Sequence, residues 1–170
     1  PLCLVGSEMC IRDSHNGFSN LRVFFAKREF WMSDSKDVVI VGGVRTPFTK
    51  AGTKLKTVHP AELGRVALSE VINQTALDPK EIEEVIIGNT GSPSDAANIS
   101  RVVALNAGIP ENVSAHTVHR NCASALESIA TGFDKIKAGI VDVVAAGGTE
   151  SMSQMPLLFR QEFADVFGEF

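Results

Sequence analysis

The stretch Ser114-Ala115-His116-Thr117-Val118-His119-Arg120-Asn121-Cys122-Ala123-Ser124-Ala125-Leu126, followed through to Gly147-Gly148, decides the fold. Ala115 to Val118 has the composition of a short strand. Cys122, Leu126, Ile129, Phe133 and Ile136 then step by four, three, four and three, the spacing of one apolar stripe on a helix. Lys135 and Lys137 fall in its last turn, where cations suit the helix dipole, and Gly139 closes it. Val141 to Ala146 is a continuous apolar run stopped by Gly147-Gly148, which is how a strand buried on both faces reads. Strand, helix, strand in that order is a parallel crossover unit.

The same alternation extends upstream. Val38-Val39-Ile40-Val41 is a β-branched run ended by Gly42-Gly43, again with the composition of a buried strand. Pro60 suits the first turn of a helix carrying Leu63, Val66, Ala67 and Val71. Asp78-Pro79-Lys80-Glu81 is a compact helix-start signal, with Asp78 as cap. Val85-Ile86-Ile87 reads as the next strand, stopped at Gly88. Asp95 is placed to cap a helix with Ile99, Val102, Val103 and Leu105, which Gly108 and Pro110 end. The pattern predicts a layered α/β fold with a largely parallel sheet. After Pro156 it dissolves into Leu157-Leu158-Phe159 and a mixed tail. The pattern stops at Phe170 without terminating structure, which points to a truncated chain.

Bulk properties remove several classes of function. The 170 residues are 44% hydrophobic and 21% charged, values of an ordinary globular protein. A formal net charge of −4 and the lack of a basic run argue against a nucleic-acid partner. No apolar stretch approaches the roughly 18 to 20 residues that span a bilayer. The three cysteines, Cys3, Cys10 and Cys122, lack paired spacing, so neither a disulfide framework nor a metal site is expected. A reducing compartment, where a lone thiol stays free, fits this usage.

Residues 1–31 differ from the rest. They mix Cys, Trp, Phe, His and Arg without periodicity, and no secretory signal pattern is present. Residues 1–14 resemble a translated sequencing-linker artefact, and Met32 reads as the true start, giving a leader of 1–31 and a domain of 32–170. The competing reading is a mitochondrial presequence built on Arg22, Lys27 and Arg28, which Glu29 opposes.

Cys122 carries the chemistry. It follows a strand after a short turn and opens a helix, in the region of α/β folds where ligands bind. Free N–H groups and the helix dipole favour an anion there, and thiols in such positions favour the attacking thiolate form. The same N–H groups suit an oxyanion formed when sulfur attacks a carbonyl. Ala123, Ser124 and Ala125 are small and let substrate approach; Asn121 is the expected helix cap. The plainer alternative is that Cys122 is a small packed hydrophobe.

His119-Arg120-Asn121-Cys122-Ala123-Ser124-Ala125-Leu126 resembles the segment around the nucleophilic cysteine of thiolases. Gly147-Gly148-Thr149-Glu150-Ser151-Met152-Ser153 is similar to their second signature. Arg45-Thr46-Pro47-Phe48, and Asn98 and Arg101 before Ala107-Gly108-Ile109-Pro110, also fit the family pattern. The resemblance covers about Val38 to Pro156. Ala125 stands where many thiolases have Gly, and His119 where many have Asn. The resemblance implies a thiolase-like layered α/β fold, truncated to most of its N-terminal half, with Cys122 as the catalytic nucleophile. It makes Met152 a candidate substrate-binding residue, gives Glu150 a bracing role, and leaves His59, His116 and His119 structural.

It further implies an acyl-CoA C-acyltransferase that forms an acyl-cysteine from a 3-ketoacyl-CoA and passes it to CoA, or the reverse. CoA is co-substrate and no other cofactor is expected. The family's second cysteine and its histidine would come from a C-terminal half, since no Cys or His follows Cys122 here. The resemblance implies an inactive fragment, a homo-oligomeric parent, and a cytoplasmic, mitochondrial or peroxisomal location. Ser114 to Val118, Gly52-Thr53 and His59-Pro60 look closest to the fatty-acid-oxidation type, including the trifunctional β subunit and its complex partner. The rivals are a non-catalytic acyl- or lipid-binding relative, a ketoacyl synthase, and a structural domain with an inert thiol.

Overall fold

A computed structural model of the chain describes residues 37–157 and 160–168. The leader expected at 1–31 lies outside the described residues, as do Leu158 and Phe159. Helix α1 (Pro60–Thr75) leads to strand β1 (Glu84–Gly88), helix α2 (Ile99–Asn106), strand β2 (Ser114–Val118), helix α3 (Ser124–Lys137), strand β3 (Val144–Gly148) and helix α4 (Gln161–Phe167). Single 3-10 turns lie at Pro79–Glu81, Ser94–Ala96 and Met152–Gln154. The strands form one parallel sheet in the order β2-β1-β3, with Glu84 opposite both Ser114 and Val144.

The starts and stops follow local chemistry. His59 caps α1, its Nδ1 accepting the Ala61 N–H at 3.2 Å, and Pro60 occupies the first turn. Asp78 accepts from the Lys80 N–H at 3.0 Å, but the helix it starts is only one 3-10 turn. Asn98, rather than Asp95, caps α2. The Asn98 side chain reaches further, donating to the Ala115 carbonyl at 3.0 Å and accepting from the Thr117 hydroxyl at 3.0 Å. Arg101 donates to the Val113 and Glu111 carbonyls at 2.7 Å each. Asn98 and Arg101 therefore bind α2 to β2 and the loop before it.

Strand alternation divides the sheet into two chemically different faces. Val85 and Ile87 of β1 join Leu68, Ile72, Ile99, Val103 and Ile109 in the main core beneath α1 and α2. On the other face Glu84, Ile86 and Gly88 lie under α3. Burying this apolar set is the main stabilising term, at about 25 cal/mol per Å² of apolar surface removed from water.

Helix α3 turns the expected stripe outward. Its buried residues are Ser124, Ser128 and Gly132, and Lys135 reaches the sheet from its last turn. Leu126, Ile129 and Phe133 are instead exposed, Leu126 by 69%. The sheet explains this arrangement, because it offers glycine and alanine at Gly88, Ala146 and Gly148. A Cβ on Gly148 would sit 2.5 Å from that of Ala125, and one on Gly88 would overlap the Ser124 backbone. The first turn of the helix approaches so closely that only small side chains fit beneath it.

Two strand expectations are corrected. Val38 to Val41 forms no strand, and Ile40 is 87% exposed. A β-branched run is buried as a strand only where a sheet edge pairs with it, and none of the described strands does so. The segment instead passes α1, where a Cβ on Gly42 would meet Thr75 Cγ2 at 2.6 Å. Strand β3 begins at Val144 rather than Val141, and it is half-buried at most positions. The preceding residues are held by Glu83, whose N–H donates to the Val143 carbonyl at 3.0 Å and whose carboxylate accepts the Asp142 N–H. The tail, expected to be irregular, contains α4.

Candidate active site

All three parallel strands end on the same side, and the segments leaving them build the site. Cys122 lies in the turn between β2 and α3 and is an exposed free thiol. Helix α3 starts at Ser124 with Ala123 as its first flanking residue, so Cys122 precedes the helix rather than opening it. Asn121 is not a side-chain cap. It adopts the left-handed conformation, φ 48°, which asparagine tolerates better than most residues.

Three donors fix the turn through one carbonyl. The oxygen of Asn121 accepts from the Ser124 N–H at 3.1 Å, the Ser124 hydroxyl at 2.6 Å and the Thr90 hydroxyl at 3.0 Å. In a trans peptide the carbonyl and the following N–H point in opposite directions. Tying the Asn121 oxygen inward therefore aims the Cys122 N–H outward. Ser124 also accepts the Arg120 N–H at 2.9 Å, so one buried hydroxyl spans the whole turn. Sequence reasoning took Ser124 only as a small residue, yet it holds the bend together. Ala125, where many thiolases have Gly, packs its Cβ toward Gly148.

The surrounding side chains are placed as follows. His119 Nε2 lies 3.4 Å from Asn121 Oδ1, within the loop itself. Arg120 pairs with Glu127 along the start of α3. His59 Nε2 lies 3.3 Å from Asp95 at the start of α1, and His116 Nδ1 lies 3.0 Å from Glu84. All three histidines thus have local structural partners.

Beyond β3, Thr149 donates its hydroxyl to the Pro60 carbonyl at 2.5 Å, anchoring this segment to α1. Glu150 turns its carboxylate onto the loop after β1, accepting the N–H groups of Thr90 at 2.8 Å and Gly91 at 3.0 Å. Asn89, buried, donates to the Thr149 carbonyl at 2.8 Å and accepts the Ser92 N–H at 2.8 Å. Asn89 and Thr90 were missed by sequence reasoning; the run Gly88-Asn89-Thr90-Gly91 after a strand was the available signal. Met152 lies exposed on the 3-10 turn that follows, at the same end of the sheet as Cys122. Among the described residues no cluster of His, Cys, Asp and Glu is suited to a metal ion. No helix among them is long and apolar enough to cross a membrane.

The chain is an α/β protein with an exposed thiol on a strand-to-helix turn at the carboxyl edge of its parallel sheet. Comparison with known proteins makes this specific. Residues 38–166 match the family model described as thiolase, N-terminal domain. The chain belongs to the thiolase family. A Staphylococcus aureus protein described as "Probable acetyl-CoA acyltransferase" is 41% identical over 121 residues, which are 71% of this chain and 31% of that protein. The crystal structure of a Bacillus anthracis acetyl-CoA acetyltransferase superposes with a TM-score of 0.71 at 38% identity, over 73% of this chain and 32% of the other. The structure of an Ascaris suum thiolase in complex with coenzyme A gives 0.72 at 33% identity, over 74% and 33%. The chain thus spans about a third of the length of the relatives it matches.

Proposed function

We propose that the whole protein is an acyl-CoA C-acyltransferase in which Cys122 carries the acyl group. The observation that supports this most is the geometry of the Cys122 turn. A free thiol is exposed beside its own outward-aimed N–H, on a bend held from beneath by Ser124 and Thr90.

The reaction balances without any redox partner. The Cys122 thiolate attacks the 3-keto carbon of a 3-ketoacyl-CoA. The bond between C2 and C3 breaks, leaving the acyl group on sulfur and the electron pair on an acetyl-CoA enolate. A proton delivered to C2 completes acetyl-CoA. The thiolate of a second CoA then attacks the acyl-cysteine, forming acyl-CoA and returning the Cys122 thiolate. The N–H of Cys122 is positioned to stabilise the oxyanion formed at each attack. CoA serves as co-substrate and no further cofactor takes part. Condensation is the same sequence reversed.

His59, His116 and His119 each have local structural partners, and the relatives this chain matches are about three times its length, which supports an acid and base supplied by the rest of the protein. The 170-residue chain alone therefore has negligible turnover. Met152 contributes to the acyl-binding surface from its exposed place beyond β3. The intact protein works as a homo-oligomer in the cytoplasm or an organelle matrix, in fatty-acid metabolism. Thiolysis of acetoacetyl-CoA by the intact protein tests this reading. Cys122→Ala should lower the rate by roughly a thousandfold or more. Unchanged thiolysis in that variant would remove Cys122 from the mechanism.

A further inference from the structure

We propose that Glu150 is a positioning residue for Cys122, acting through the Thr90 hydroxyl across the ends of all three strands. This rests on the reading of Cys122 as the acyl-carrying nucleophile. Glu150 leaves the end of β3, Thr90 the end of β1, and Cys122 the end of β2. Glu150 Oε2 accepts the Thr90 N–H at 2.8 Å and the Gly91 N–H at 3.0 Å. Its Oε1 lies 3.4 Å from Asn89 Nδ2 and 3.3 Å from the Ser151 N–H. The carboxylate thus meets four donors, three of them backbone N–H groups, a set matched to an acceptor-only group.

Gly91 is what allows this approach. A Cβ there would stand 2.7 Å from Glu150 Oε1 and 2.8 Å from the Met155 sulfur. With its backbone held, Thr90 has its hydroxyl in place to donate to the Asn121 carbonyl at 3.0 Å. That carbonyl belongs to the peptide that delivers the Cys122 N–H. Glu150 touches neither the thiol nor, in this geometry, a reacting atom. It fixes the loop whose hydroxyl fixes the peptide before the nucleophile.

Glu150 differs from a generally stabilising residue, because its effect on Cys122 must pass through Thr90. The test uses the intact protein and measures the rate at which acetoacetyl-CoA acylates Cys122, read by rapid quench and mass spectrometry of the Cys122 peptide. Glu150→Gln and Thr90→Val should each slow acylation roughly tenfold to a hundredfold, the scale of a misplacement of about 1 Å, with KM little changed. Thr90→Ser should restore the rate. Combining Glu150→Gln with Thr90→Val should add almost nothing to the slower single variant, since both break one linkage.

Wild-type acylation in Glu150→Gln would overturn the proposal, as would losses that multiply in the double variant. Should Glu150→Gln fail to fold, the Thr90 pair decides: slow Val with fast Ser supports the linkage, and Val at the wild-type rate overturns it. If wild-type Cys122 takes no acyl group, the proposed function fails and this inference fails with it. A wild type that acylates beside an unaffected Glu150→Gln sinks the inference alone.

Discussion

Gly88 and Gly148 stand opposite one another in the β1–β3 register, and the first turn of α3 rests on both. This pair sets how closely the helix, and the cysteine turn in front of it, approaches the sheet. Any side chain at either position meets α3 before it meets solvent.

Gly88→Ala and Gly148→Ala should therefore each destabilise the intact protein by about 1 to 3 kcal/mol, as overpacked sites do. Each should also reduce thiolysis, because relief comes by lifting the start of α3 and displacing Cys122. Urea unfolding and steady-state kinetics on the same samples check both effects. Gly43, whose Cβ would meet nothing within 4 Å, is the control, and Gly43→Ala should leave thiolysis unchanged.

At the opposite end of the sheet a buried charge depends on its partners. Lys135 Nζ lies 2.6 Å from both oxygens of Glu84, and His116 Nδ1 lies 3.0 Å from one of them. Glu84 is almost wholly buried, while Lys135 is partly exposed. Lys135→Met should cost about 2 to 3 kcal/mol, below the full figure for a buried pair because solvent reaches the lysine. Glu84→Gln combined with Lys135→Met should recover part of this, since it removes the uncompensated charge. Unfolding midpoints of the single and double variants measure the difference.

The outward stripe of α3 predicts how this chain behaves by itself. Leu126, Ile129 and Phe133 are exposed together on one helix, and Val39 to Val41 and Phe48 are exposed elsewhere. Contiguous apolar surface of this kind drives self-association. The 170-residue chain expressed alone should be poorly soluble, and Leu126→Ser with Phe133→Ser should raise its soluble fraction. Sedimentation of the expressed chain before and after the substitutions is the measurement.

The turn chemistry makes a fourth prediction. Ser124→Ala removes a hydroxyl that accepts from Arg120 N–H and donates to the Asn121 carbonyl. The Arg120 N–H is part-buried, so leaving it without its partner costs about 1 kcal/mol, the low end of the buried range. Acylation of Cys122 should slow more than global stability falls, because the loss is local to the cysteine turn. Ser124→Thr retains the hydroxyl but adds a methyl group at a buried position. It should therefore not restore the rate fully.

Much of this was legible in the sequence, for identifiable reasons. Three strands and three helices followed from local signals: β-branched runs stopped by glycine, Pro60 in a first helical turn, and helical spacing after Cys122. The orientation of α3 was not legible. Its large apolar residues read as the buried face, but the sheet beneath its first turns offers Gly88, Ala146 and Gly148, and that fact belongs to another part of the chain. The strand expected at Val38 to Val41 failed for a related reason, since a strand needs an edge to pair with, and composition cannot supply one. The candidate site divides similarly. Cys122 stood out by position and motif, whereas Thr90 and Asn89 gained significance only when β1 was laid beside β2 and β3.

Trapping the intact protein during turnover of a 3-ketoacyl-CoA decides whether Cys122 carries the acyl group. Rapid acid quench, digestion and mass spectrometry should find the acyl mass on the peptide containing Cys122, and the adduct should disappear when CoA is supplied in excess. An acyl group found on another side chain, or turnover with Cys122 unmodified and no adduct formed, would contradict the account.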